Sequence, residues 1–590
     1  MPATRAPITA TGSESGPTWV LLLPFAPCLL ALNLPPSPTL LNQCFALGLW
    51  GACWTALPAR PTATAWRDQW PLLGALALLL VSAGMAPLVS AQPPAIAVAN
   101  GVFVLAAALT ATLGHDCAER ADGVRAMSML LLGLCIVGTL SALIACVQVF
   151  APDWADGEWI ARSSLAGRGV GNLRQPNHLA SLLLWAAIAA IASIELRRVA
   201  PAVGAALFAL LLLGVVLSGS RTGLVGTLLL AMWALFDRRL SRPSRMLLLS
   251  APVWTALAWL ALTGWAHATD HAFGGKGHLL ATGGGDISSS RFGIWRDTFV
   301  MLAREPWLGV GFGEFNLAWT LTALPKRPVA FFDHTHNLPL ELLIELGLPV
   351  GLGVCALLVA GVVMAIRRAW SLDGDRGTAA RTATLMVLMV GLHSQLEYPL
   401  WYAYLLLPTA FFWGYALARD EGGATTTARL PPARSWAARG LGLALTLGSA
   451  AAVLDYHRVV VIYEPPDDAA PLEDRIEHGQ RSLLFGHHAD YAAATAFGEP
   501  KAPLSPSQKL AFARAPHHLL DIRLMIAWAQ ALAAEGKLDQ ARWLAARIRE
   551  FRNPGSDEFF APCAEASQAA GAFQCQPPER VWHWREFVAR

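Results

Sequence analysis

Apolar runs of about 17–25 residues recur through the first 460 positions, and this pattern restricts the chain to a bundle of membrane-spanning helices. A bilayer core offers no solvent to backbone N–H and C=O groups, so only helices or closed barrels cross it, and runs of this length are helical. About thirteen spans are expected, near 18–33, 39–57, 70–90, 95–113, 126–150, 178–196, 201–217, 222–236, 246–266, 338–366, 382–396, 398–418 and 440–462. The expected fold class is an all-α polytopic integral membrane protein. Only 14% of the 590 residues are charged and 55% are hydrophobic, which argues against a soluble globular chain. A cleaved signal peptide is not expected, since Arg5 stands far from the first apolar run. A net charge of +3 gives no nucleic-acid footprint.

The arginines orient the bundle. With a cytoplasmic N-terminus, inside loops carry Arg60 and Arg67, Arg120 and Arg125, Arg197 and Arg198, then Arg238, Arg239, Arg242 and Arg245. Further on they carry Arg367, Arg368, Arg376 and Arg381, then Arg419, Arg429, Arg434 and Arg439. The short turns at the other face carry neither Lys nor Arg, as the positive-inside rule requires. The expected organisation is a transmembrane region over 1–266 with an outer loop at 151–177, a large outer loop over 267–337, a second transmembrane region over 338–462 and an outer tail over 463–590.

Polar residues that interrupt this scheme are the candidates for function. The loop HTHN runs into an apolar helix, with Asn337 as N-cap and Pro339 in the first turn. His336 then lies at the positive end of a helix dipole, which favours a neutral ring fit to act as a base, while Asp333 pulls the other way. In LRQPNHLA, Asn177 is a candidate helix cap; a plain solvated turn is the alternative. In LSGSRTG, Arg221 sits between two apolar runs and wants an anionic partner, unless it snorkels to the interface. SSSRFGIWRDTFVMLAREP reads as an amphipathic helix with Arg291 at its start behind three serines, a plausible phosphate seat. HSQLEYPLWYAYLLLP places Glu397 at a span end, where it wants a cation such as Arg221, Arg291 or His336, beside a belt of Tyr398, Trp401, Tyr402 and Tyr404.

The histidine pairs His267 with His271 and His334 with His336 lack a matched cysteine or carboxylate set, so no metal site is expected. From about 510, two helices joined at EGKLDQA resemble a tetratricopeptide unit. Cys563 and Cys575 fall in the outer tail, where either a disulfide or two free thiols is open.

HNLPLELLIELG resembles the histidine motif of the O-antigen ligase and polysaccharide polymerase superfamily, H-N/S-x-x-L-x6-G after a large periplasmic loop. SGSRTG resembles that family's membrane-edge arginine motif, and SSSRFGIWRDT with PWLGVGFGEF its loop arginine motif and glycine turn. LRQPNHLA, the HSQLEYPLWYAYLLLP run and the helical tail are similar to the bacterial protein O-oligosaccharyltransferases that glycosylate pilins (PglL-type). The resemblance implies a GT-C-like helical fold in the bacterial inner membrane with its active site facing the periplasm. It implies transfer of a glycan from an undecaprenyl-pyrophosphate carrier to a Ser or Thr hydroxyl of a periplasmic or pilin-like protein, without a cofactor or metal. His336 would be the base, and Arg221 and Arg291 would hold the pyrophosphate. Gln175, Asn177, Glu397 and Tyr398 would shape the donor or acceptor path. An O-antigen ligase or polysaccharide polymerase using the same donor is the near alternative. A lipid-linked glycan transporter is the alternative of another class; it predicts inverted repeats, which the sequence does not display.

Overall fold

The computed structural model describes residues 17–57, 63–274, 287–324, 326–328, 332–419 and 432–588, and these form helices with no strand among them. The membrane region holds α1 (Leu40–Ala56), α2 (Ala63–Val89), α3 (Pro94–Glu119), α4 (Gly123–Phe150), α5 (Pro176–Glu195), α6 (Pro201–Ser218), α7 (Arg221–Phe236) and α8 (Arg242–Thr269). Next come α9 (Ile287–Arg304), α10 (Phe315–Leu321), α11 (Leu338–Ser371), α12 (Gly374–His393), α13 (Ala403–Ala416) and α14 (Pro432–Tyr463). Among the described residues eight helices are long and apolar enough to cross a bilayer: α2 to α6, α8, α11 and α14. The other expected spans are shorter or more polar; α1, α7 and α13 have 17, 16 and 14 residues.

Two expected spans take another form. Residues 18–33 make two short 3-10 turns, Thr18–Leu22 and Ala26–Leu29, because Pro24 and Pro27 each remove an N–H that a continuous helix would need. The Asn42 amide donates to the carbonyls of Pro27 at 2.8 Å and Leu30 at 3.0 Å, so the irregular backbone is satisfied inside the protein. The span expected over 338–366 is broken at Gly347, which stands at φ +74°. The glycine turn after Pro306 fills the break. Val310 donates to the Ile344 carbonyl at 2.9 Å, Gly311 to that of Glu345 at 3.0 Å, and Leu348 to that of Pro306 at 2.7 Å. A Cβ on Gly347 would stand 2.3 Å from the Trp307 carbonyl oxygen. Residues 338–346 therefore form a separate short helix that carries the histidine loop at its start, and the long run to Ser371 follows it.

α5 lies at the centre of the bundle and is buried along almost its whole length. Its Trp185 packs edge-on against Phe25 and Phe412 and donates to the Met386 carbonyl at 2.9 Å. The start of α5, the α6–α7 corner, the end of α12 and the start of α11 meet at one end of the bundle. The arginine-rich connections lie at the other, where Asp68 takes Arg368 at 3.2 Å and Arg419 at 2.8 Å, and Asp237 takes Arg381 at 2.8 Å.

The tail adds α15 (Leu472–Gln480), α16 (Gly486–Thr495), α17 (Pro506–Arg514), α18 (Ile522–Ala534) and α19 (Leu538–Phe551). α18 and α19 are the expected helix pair, turning at Gly536 with φ +79° and with Ala541 fully buried. The tail shares one apolar core with the segment before α11, built from Ile294, Trp319, Phe332, Trp528 and Phe551 among others. Arg327 lies over the rings of Trp319 and Phe551, at 4.5 and 4.6 Å, and reaches Glu550 at 3.3 Å. Cys563 and Cys575 are disulfide-bonded.

Candidate active site

The histidine loop is built as the sequence predicts and then bent further. Asn337 caps α11 by accepting from Leu340 N–H at 3.0 Å. His336, just before it, adopts φ +54°, a left-handed conformation that costs a non-glycine residue roughly 1–3 kcal/mol. Its neighbours hold it there. Leu338 N–H donates to the Ser394 carbonyl at 2.8 Å, Trp295 Nε1 to that of Thr335 at 2.9 Å, and Thr335 N–H to the Glu341 carboxylate at 2.7 Å.

Glu397 is where the separate stretches meet. One carboxylate oxygen lies 2.8 Å from His336 Nδ1. The other accepts from Arg291 and, at 3.1 Å, from the Asn177 amide. The Asn177 carbonyl accepts from Ser220 Oγ at 2.6 Å, and Ser220 caps α7 by accepting from Gly223 N–H. Arg221 is the first residue of that helix and is exposed. A polar chain thus runs from the Arg221 corner through Ser220, Asn177 and Glu397 to Arg291 and His336. Burial pushes the Glu397 carboxyl up. The hydrogen bond and charge of His336, with the Arg291 guanidinium, outweigh it and hold the group below its usual range. An ionised carboxylate only accepts, so His336 Nδ1 carries the proton of this hydrogen bond and Nε2 is left facing away from Glu397. Phe332 and Tyr398 meet the His336 ring edge-on, each at 5.2 Å. A small cleft opens among His334, His336, Glu397, Tyr398 and Trp401.

Several expectations need correction. Gln175, not Asn177, caps α5: its side-chain carbonyl accepts from Asn177 N–H and from His178 N–H, which frees the Asn177 side chain to bridge Ser220 and Glu397. α9 starts at Ile287, so the three serines lie inside its first turn and Arg291 is its fifth residue, reaching a carboxylate instead of an open helix end. His334, two positions before His336, is held as well. It stacks on Tyr398 at 4.2 Å and pairs with Asp333 at 3.1 Å. The aromatic run is not a belt facing lipid, since Tyr404 is buried and bonded to His178 at 3.0 Å, and Tyr398 and Tyr402 stack in the site. His278 and the glycine-rich stretch 275–286 lie outside the described residues.

Arg168 is the residue the sequence reading missed. It donates to the Ser218 carbonyl at 2.9 Å and the Gly219 carbonyl at 3.2 Å, which places it on the Arg221 corner. Burial, then the charge of Arg221, holds its guanidinium below the usual value. Its signal was available, because it is a basic residue in the 151–177 loop, which the positive-inside reading expects at the face poor in such residues. The one D-x-D tripeptide, Asp373 to Asp375, was also passed over. It opens α12, some 30 Å of helix from His393, and its carboxylates pair with Arg239 at 3.1 Å and Arg197 at 3.0 Å.

Three family descriptions match parts of the chain. Residues 170–192 match "Protein glycosylation ligase", 206–355 match "O-Antigen ligase", and 382–559 match "Virulence factor membrane-bound polymerase, C-terminal". These segments contain Asn177, then Arg221, Arg291 and His336, then Glu397. The chain is 26% identical over 338 residues to a general O-oligosaccharyltransferase of Acinetobacter baylyi, covering 55% of this chain and 56% of that protein. It is 25% identical over 284 residues to a ComP-specific O-oligosaccharyltransferase of the same organism, covering 48% and 49%. The chain thus spans about half the length of the curated relatives it matches. In these parts the chain is similar to the O-antigen ligase and polymerase families and to protein O-oligosaccharyltransferases, and the matched segments carry the motifs that meet at Glu397.

Proposed function

We propose that the chain is an O-linked oligosaccharyltransferase, moving a glycan from an undecaprenyl-pyrophosphate carrier to a Ser or Thr hydroxyl of a periplasmic or pilin-type protein. The observation that carries this reading is one carboxylate, Glu397, bonded at once to a histidine and an arginine. Glu397 fixes the His336 tautomer and offsets the imidazolium formed when Nε2 takes the acceptor proton. The freed oxygen attacks the anomeric carbon from the face opposite the carrier and inverts it. The C–O bond to the carrier breaks and its electron pair leaves on the pyrophosphate. Charge grows there, so fixed cations count for more in the transition state than before it. Arg221 and Arg291 supply those cations, and we add Arg168 to them. Two guanidiniums at a helix N-terminus make a seat that an anion relieves. The arginine asymmetry supports a reading in which this end of the bundle faces the periplasm from the inner membrane.

The test is incubation of purified protein with lipid-linked glycan and a pilin-type acceptor. Glycan on an acceptor Ser or Thr, found by mass spectrometry without added metal, is the expected result. Glycan joined only to a lipid core or to another glycan would move the assignment to the ligase or polymerase branch. Movement of the carrier across a vesicle membrane with no bond made would move it to a transporter.

A further inference from the structure

Three histidines of the tail meet away from the Glu397 site. His487 and His488 open α16, and His518 directly follows the 3-10 turn Ala515–His517. The His487 ring lies 3.9 Å from that of His518 and 4.2 Å from that of His488, centre to centre. One nitrogen from each ring lies within 4.8 Å of the others. The Nδ1 of His487 is buried and has no hydrogen-bond partner. We propose that His487, His488 and His518 form a binding site for a divalent transition metal of the zinc class, pinning the tail beside the histidine loop.

Imidazole nitrogen suits zinc, copper and nickel better than magnesium or calcium. Three rings with a water in the fourth place would complete a tetrahedral shell at about 2.0–2.1 Å. A metal needs neutral rings with a free lone pair. Burial first, then mutual repulsion, keeps His487 and His488 well below the usual histidine range. An unpartnered buried nitrogen is unfavourable without a ligand, and coordination would satisfy it. Two other charged groups face the cluster. Arg514 opposes a cation but is engaged by Asp490 at 2.7 Å. Asp333 favours one, since its carboxylate pulls His518 upward. Asp333 stands three positions before His336, so a bound ion would join the tail to that loop. His518 keeps an exposed edge, which is the way in. The other close group, Asp68 with His115 and Glu119, carries no such proposal, because Arg368 and Arg419 already hold the Asp68 carboxylate.

The experiment uses the full chain, purified through a histidine-free affinity tag, stripped of metal and titrated with cobalt(II). One equivalent should bind with the visible absorption of a tetrahedral site, zinc should displace it, and zinc should raise the thermal midpoint. In His518→Asn, the substitution at the exposed ring, the dissociation constant should rise by more than about tenfold and the thermal shift should vanish. His487→Asn should do the same, while His267→Asn with His271→Asn should leave binding unchanged. Absence of binding by the wild type, or unchanged binding by His518→Asn, would overturn the site. Glycan transfer by the stripped protein at ambient temperature should persist, so this result and the test of the transferase reading are independent.

Discussion

At the scale of single residues, the site is two linked acid–base pairs. His336 leans on Glu397, and His334, two positions earlier, leans on Asp333. Burial pulls the His334 ring down, but Asp333 outweighs it, with help from Glu341 and Glu345, and lifts the group to about 9. Burial likewise raises Asp333, while His334 and His336 bring it to about 2. A raised histidine stabilises the fold fully below its unfolded value of 6.5 and loses that contribution as pH climbs through about 9. A depressed aspartate stabilises fully above 3.8 and loses that contribution as pH falls through about 2. The thermal midpoint of the wild type should therefore exceed that of His334→Gln most between pH 3.8 and 6.5, and the gap should close above pH 9. A gap that widens above pH 9 would mean the pair is not ionised as described. The residues themselves were legible in sequence because each broke a rule of the membrane: an arginine at a span end, a carboxylate between apolar runs, histidines at a helix start. Their partners were not. Nothing in the chain order says that Asn177, Arg291 and His336 share the carboxylate of Glu397, since the contacts cross 220, 106 and 61 positions.

At the scale of elements, the break in α11 decides where the histidine loop points. Hydropathy read 338–366 as one span because a single glycine hardly alters an average. The signal was Gly347 with Pro349 two positions on, a helix ending and a fresh start. The glycine turn after Pro306 serves that break, which gives the G-x-G run a structural role. Gly347→Ala would force φ +74° on a residue with a Cβ and press that Cβ on the Trp307 carbonyl. It should cost about 1–3 kcal/mol and lower transfer by displacing the loop. Gly353→Ala is the control, since its Cβ would meet only a leucine methyl at 3.9 Å. Thermal unfolding in detergent separates the two, and equal midpoints would show that the break does not need glycine. The first expected span failed for a related reason. Its apolar count sufficed, but Pro24 and Pro27 break the hydrogen-bond ladder.

At the scale of the whole molecule, the all-helical membrane fold and the sorting of arginines to one end were readable from composition by position. The joint core of the tail and the segment before α11 was not, because its anchors are pairs distant in sequence, such as Arg327 with Glu550 and His517 with Glu314. That core seats the loop carrying His336 on the tail, and the proposed reaction needs both on the donor's side of the membrane. A cysteine placed in the 275–286 stretch, or in the tail at Leu483, which is 79% exposed, should react with an impermeant maleimide in intact spheroplasts. Reaction only after lysis would reverse the orientation and remove the proposed access to a periplasmic acceptor.

The central claim is that His336 performs the proton transfer while Glu397 and the arginines prepare it. The measurement is transfer to a pilin-type acceptor in a strain lacking the native enzyme, with expression matched, paired with donor binding by the purified variants. His336→Ala should lose about 10²–10⁴-fold in transfer and still bind lipid-linked glycan. Arg221→Ala and Arg291→Ala should lose both, with Lys restoring only part because it lacks the planar fork. Glu397→Gln should insert normally and shift the pH profile of transfer, since its amide no longer offsets an imidazolium. Near-normal transfer by His336→Ala would contradict the assignment of the base, and near-normal transfer by all of these variants would contradict the site.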